Sequence, residues 1–258
     1  SPTNAGSNVT FTATATDTAD NYYLALCKTN SVTVVNSGAP TCGGGNWCIS
    51  GSTASGAQAS CTYAAAAGDS ESNAWFAFVC DHNSSSLCSS ASQSSGDNGS
   101  PFKVNHLPSF SAVSYTGNNF GAGANVEFTA TASDSDTDGA NDTVTFYLCK
   151  ATDFTGTACG AGGQWCNSSA AASNPSCTYT VQVSDGNGAK NYYGYIIDNH
   201  SFASSSNPVS GSFTTETETV TSEVLSSGSK AIVQPTQQPQ PPSPLIPGIV
   251  GEIRRIQE

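Results

Sequence analysis

The 258-residue chain contains no methionine and only seven lysines and arginines, and just 10% of its residues carry charge. Each shortage removes a class of function. Phosphate binding needs clustered basic side chains, so a net charge of −12 and an isoelectric point near 4.3 exclude a nucleic-acid partner. Only Arg254 and Arg255 are adjacent bases. No apolar run approaches the roughly 18 residues of a membrane span. A 3.6-residue apolar period is missing before residue 245, so amphipathic helices are not expected. The Gly-x-Ser-x-Gly, His-Glu-x-x-His and phosphate-loop patterns are also missing. Starting at Ser1 without methionine, the chain reads as processed or trimmed, with no signal peptide left.

What is present is a tandem repeat. Asn8–Asp17 (NVTFTATATD) returns 117 residues later as Asn125–Asp134 (NVEFTATASD). LALCK ending at Lys28 returns as FYLCK ending at Lys150. TCGGGNWC (Thr41–Cys48) returns as ACGAGGQWC (Ala158–Cys166). The CTY at Cys61 returns at Cys177, and NAWFAFVCD ending at Asp81 is matched by NYYGYIID ending at Asp198. Five matches in one order mark a duplication. Val9, Phe11, Ala13 and Ala15 alternate with polar residues, and Val126, Phe128, Ala130 and Ala132 repeat the pattern, the period of a half-buried strand. Asp185–Gly188 reads as a hairpin turn between strands at Tyr179 and Tyr192. The expected fold is all-β: two tandem immunoglobulin-like β-sandwich domains (1–106 and 107–216) with disulfides, followed by an extended Pro/Gln-rich C-terminal tail (217–258). The block FTATASDSDTDGANDTVTFYL resembles bacterial and archaeal immunoglobulin-like surface modules of the PKD and cadherin-like type. That resemblance implies the fold and a cell-surface location, and no activity.

Ten cysteines in a chain rich in Ser and Thr point to disulfides made in an oxidising, extracellular compartment. Cys80 and Cys88 have no counterparts in the second repeat, and two cysteines lost together imply a mutual bond. Cys27, Cys42, Cys48 and Cys61 correspond to Cys149, Cys159, Cys166 and Cys177. Each set of four admits three pairings; sequential pairing needs only local loops, and the sequence leaves the choice open. Cys-x5-Cys and Cys-x6-Cys are poor zinc spacings.

Asp134, Asp136, Asp138 and Asp142 alternate around Gly139, an oxygen-rich pattern suited to Ca²⁺; a solvated turn is the competing reading. The first repeat keeps only Asp17 and Asp20 there. His82, His106 and His200 have no recognisable nucleophile beside them, so no enzyme is expected. Sequons stand at Asn8, Asn83, Asn98, Asn141, Asn167 and Asn199, where glycans can be carried.

The second repeat opens on LPSFSAVSY (Leu107–Tyr115), an apparent first strand, whereas the first repeat begins too late to own one. The tail holds a spare strand-like segment, TETVTSEVLSSG (Thr217–Gly228), followed by KAIVQP. A strand short at one end and a strand spare at the other suggest head-to-tail donation, with Val220, Val224 and Ile232 plugging the groove of a neighbour. The expected function is therefore a self-associating, pilus-like filament subunit. The alternative is an adhesin or stalk module without polymerisation.

Overall fold

The computed structural model describes residues 2–17, 20–89, 99–137 and 142–216. Period-two alternation produces the strands, because side chains on an extended backbone project to opposite faces. In the first domain these are β1 (Thr3–Asn4), β2 (Asn8–Thr14), β3 (Tyr22–Cys27), β4 (Val32–Thr33), β5 (Thr41–Cys42), β6 (Asn46–Ile49), β7 (Gln58–Ala64), β8 (Ser72–Asn73), β9 (Phe76–Asp81) and β10 (Phe102–Asn105). The second has β11 (Ser109–Tyr115), β12 (Asn125–Ser133), β13 (Val144–Cys149), β14 (Gln164–Asn167), β15 (Ser176–Thr180), β16 (Gly188–Asp198) and β17 (Val209–Thr215).

The second domain sets a sheet in the order β11-β12-β15 against one in the order β14-β13-β16-β17. Both domains are immunoglobulin-like sandwiches. In the first, β6-β3-β9 matches β14-β13-β16, and β2-β7 matches β12-β15. Inward residues of both sheets make the second core: Val126, Phe128, Ala130, Phe146, Leu148, Ile196 and Phe213 are all essentially solvent-free. A fully buried Phe or Leu contributes about 1.5–3 kcal/mol, so this cluster carries the domain.

Each sandwich is bolted across its sheets. Cys48 on β6 bonds Cys61 on β7, and Cys166 on β14 bonds Cys177 on β15. The remaining bridges are Cys27–Cys42, Cys149–Cys159 and Cys80–Cys88, and no cysteine is free. Beside each inter-sheet bridge a Trp carries a Lys on its ring face: Lys28 lies 4.1 Å from Trp47, and Lys150 lies 4.2 Å from Trp165.

One expectation fails. The Asp185–Gly188 turn joins no hairpin, since β15 pairs with β12 whereas β16 pairs with β13 and β17. It is a crossover between sheets. A short 3₁₀ turn at Val183–Asp185 leads into Gly186 and Gly188, both at positive φ, which glycine alone adopts freely. The Asp185 carboxylate holds the corner, accepting from the Tyr179 hydroxyl (2.8 Å) and the Gln182 N–H (2.7 Å). Tyr63, Asp69 and Ala66 repeat this hook in the first domain.

Burial, then the hydrogen bond and charge of Asp185, push the Tyr179 phenol up to about 12. Tyr179→Phe should cost about 1 kcal/mol in urea denaturation. A folded pKa above the unfolded value near 10 means that the proton is held more tightly in the folded state. The Tyr179 contribution is therefore complete below pH 10 and lost as pH rises toward 12. The variant should show a shallower alkaline loss of stability than the parent protein.

Candidate functional site

Two features distinguish the domains, and both lie where one repeat departs from the other. The first is an open edge. In the second domain β11 pairs antiparallel with β12, from Ser109 opposite Ser133 to Tyr115 opposite Phe128. It sends Phe110 against Phe146 and Tyr115 against Phe128 and Tyr192. The described part of the first domain opens with β1, which pairs parallel with β10 in a separate sheet of the order β1-β10-β8, as Phe120 bridges Thr215 in the second. Among the described residues, β2 pairs with β7 alone.

The consequence is read directly in burial. Val126, Phe128 and Ala130 are 0% exposed, while their counterparts Val9, Phe11 and Ala13 are only half-buried. A cleft of about 360 Å³ runs along β2, lined by Phe11, Ala13, Leu24, Leu26, Trp75 and Ala77. The counterparts of these residues are the ones that β11 covers in the second domain. Where Ala77 lines the cleft, the second domain has Gly194; a Cβ there would meet Val113 Cγ2 of β11 at 2.8 Å and Phe146 at 3.1 Å. Backbone at a strand edge without a partner is a template for another strand.

The second feature is acidic and lies at the junction of the domains. Asp134, Asp136 and Asp142 each present one carboxylate oxygen within 4.8 Å of the others. The Asp136 and Asp142 side chains are buried, and so is Asp198, which the sequence pattern missed. Asp198 accepts from the backbone of His200 and Phe202 and, at 2.8 Å, from Asn105 Nδ2 of the first domain. His106, in the connecting segment, spans both domains. Its backbone N–H and Nδ1 face the Asp136 carboxylate, while Nε2 lies 3.0 Å from the Asp69 carbonyl. Burial disfavours its charged form, but the hydrogen bond and charge of Asp136, helped by the Asp69 carbonyl, hold its pKa above the usual histidine value. Burial pushes the Asp134 carboxyl up; the Asp136 N–H opposes this, and the charges of Asp136, Asp198 and Asp142 reinforce it. Thr137 adds a 2.9 Å bond to Glu71 across the junction.

Asp138 lies outside the described residues, as do the sequons at Asn98 and Asn141 and the tail residues Val220, Val224 and Ile232. Asn8 and Asn167 are exposed strand residues. The Asn83 amide is bonded to Asp20 and Asp81, and that of Asn199 to Asp142. The structure does not gather the three histidines: His106 meets Asp136, His200 meets Asp142, and His82 meets Ser52.

No protein-family model matches the chain, and no curated protein matches it in sequence. Among solved structures it is similar to an I-band fragment of titin, at 12% identity and a TM-score of 0.41, over 84% of this chain and 62% of that one. It is also similar to a marsupial T cell receptor, at 11% identity and a TM-score of 0.45, over 84% and 70%. A further likeness is to murine CEACAM1b, at 13% identity and a TM-score of 0.34, over 84% and 96%. The chain thus spans less than two thirds of the titin fragment. No helix among the described residues is long and apolar enough to cross a membrane.

The asymmetry between the domains is directly testable. Gly194→Ala should force β11 off its sheet and cost about 1–3 kcal/mol, the usual penalty of overpacking. Ala77→Gly, on an uncovered cleft, should cost less than 1 kcal/mol beyond backbone entropy. Guanidinium denaturation of the two variants reads the difference.

Proposed function

We propose that the protein is a structural subunit of an extracellular, pilus-like filament, assembled when one copy's tail adds a strand to the first domain of the next. The carrying observation is the cleft along β2, with Phe11 and Ala13 half-buried where Phe128 and Ala130 are sealed by β11. Five disulfides and a charge-poor composition suit a durable material outside the cell. The resemblance to bacterial and archaeal surface modules agrees with that setting.

The occupant can be specified from β11. It must run antiparallel to β2, pair along Phe11–Thr14 and place apolar side chains inward. The tail offers Val220 and Val224, four positions apart in TETVTSEVL and so able to face the same way once added as a strand, and Ile232 beyond Gly228. The Pro/Gln stretch that follows has the composition of a spacer. Backbone pairing would supply affinity and the inward side chains specificity. Donor and acceptor are different segments of the chain, so the contact would be heterologous, and its repetition would give a fibre rather than a closed dimer.

Electron microscopy of the concentrated full-length chain should show filaments, and deletion of residues 217–258 should abolish them. Ala77→Trp, which fills the cleft, should block assembly while leaving the circular dichroism unchanged. A full-length chain that stays monomeric, with β2 amides protected from exchange by a segment of the same chain, would overturn the proposal in favour of a non-polymerising adhesin or stalk.

A further inference from the structure

The acidic junction contains more uncompensated oxygen than a solvated turn would bury. Asp142 is 2% exposed and Asp136 5% exposed. The Oδ2 atoms of Asp134 and Asp142 are buried with no hydrogen-bond partner, as is Oδ1 of Asn105, the residue before His106. Buried carboxylate oxygens in native proteins are normally satisfied, because an orphan pays its desolvation with no hydrogen bond in return. Charge is equally unbalanced. Three carboxylates converge, and a fourth, Asp198, adds its charge at Asp134. Against them stand only histidines: the ion pairs among the described residues are His106–Asp136 and His200–Asp142. No Lys or Arg of the described residues is paired there.

We propose that Asp134, Asp136 and Asp142 bind a Ca²⁺ ion that locks the two domains at their junction. The donor set is all oxygen, which suits a hard cation, and it contains no thiolate to favour zinc. Calcium binds oxygen at about 2.3–2.6 Å, so two ligands on opposite sides of the ion lie about 4.6–5.2 Å apart. Three oxygens within 4.8 Å of one another therefore fit around one ion. The two orphaned Oδ2 atoms are the natural first ligands.

The coupling between domains follows from Asp136. Its carboxylate holds both the backbone N–H and the imidazole of His106, whose far nitrogen reaches the Asp69 carbonyl of the first domain. An ion that fixes Asp136 therefore fixes the connector as well. Asp198, beside the site, holds Asn105 in the same way. The first domain's counterparts, Asp17, Asp20 and Asp81, form no such three-oxygen group among the described residues. One ion per chain is expected. The proposal does not depend on strand donation.

The test uses the full-length chain stripped by a chelator and titrated with CaCl₂ in a calorimeter, with MgCl₂ as competitor. One site of sub-millimolar affinity is expected, in the range of extracellular calcium modules, together with a rise in melting temperature. Hydrogen exchange at His106 and Leu107 should slow on adding Ca²⁺. Asp142→Asn and Asp134→Asn should each weaken binding at least tenfold. Their metal-free forms should melt no lower than the metal-free parent, because each removes a repulsive charge; that readout separates a ligand from a merely structural residue. Calcium at about 10 mM that produces neither heat nor a melting shift, or an Asp142→Asn chain that binds like the parent, overturns the site. Binding without slowed exchange at the connector overturns the coupling.

Discussion

The bond between the sheets is the constraint on which this molecule rests. A β-sandwich holds its sheets together chiefly by the apolar side chains of their inner faces. Here the segment carrying Cys42, Cys48 and Cys61 is rich in Gly, Ser and Ala, with Trp47 and Ile49 its large apolar anchors. The Cys48–Cys61 and Cys166–Cys177 bridges tie facing strands where packing is thin. Each closes a loop of 13 or 11 residues. In the chain-entropy model such a loop contributes about 3 kcal/mol by constraining the unfolded chain. In the first domain Leu24 and Leu26 stay buried in one cluster with Cys48 and Cys61, while Phe11 looks into an open cleft.

Much of this was legible in the residues, because strand periodicity and duplication are local signals. Val9–Ala15 and Val126–Ala132 announce their strands, and laying the copies side by side exposes the strand that one of them has and the other lacks. Pairing partners are not local signals. Asp185–Gly188 has the composition of a hairpin turn, yet β15 and β16 belong to opposite sheets. Nothing in their alternation states which sheet each will join. The two-residue β1 is too short to show a period, and its parallel pairing with β10 depends on residues a hundred positions away.

The acidic junction was half visible for the same reason. Asp134, Asp136 and Asp142 stand close together in the chain, and their spacing signals oxygen chemistry. Asp198, Asn105 and His106 come from three further places and meet them only through the fold. His106 in particular sits in a connector with no motif around it. Its role arises from touching Asp136 with one nitrogen and the Asp69 carbonyl with the other. The two domains thus differ in the same sense at both ends: among the described residues β2 pairs with β7 alone and the first domain shows no three-carboxylate group, whereas the second has both β11 on β12 and the acidic cluster.

The five disulfides also govern how far the molecule can be stretched. They close five separate loops, and pulling on the chain ends cannot extend what lies inside them. The Cys27–Cys42 bridge alone spans 15 positions, which withholds roughly 50 Å of slack at 3.3–3.6 Å per residue. Under load each domain would therefore pay out only the chain that lies outside its closed loops. Reduction would remove that limit together with the tie between the sheets.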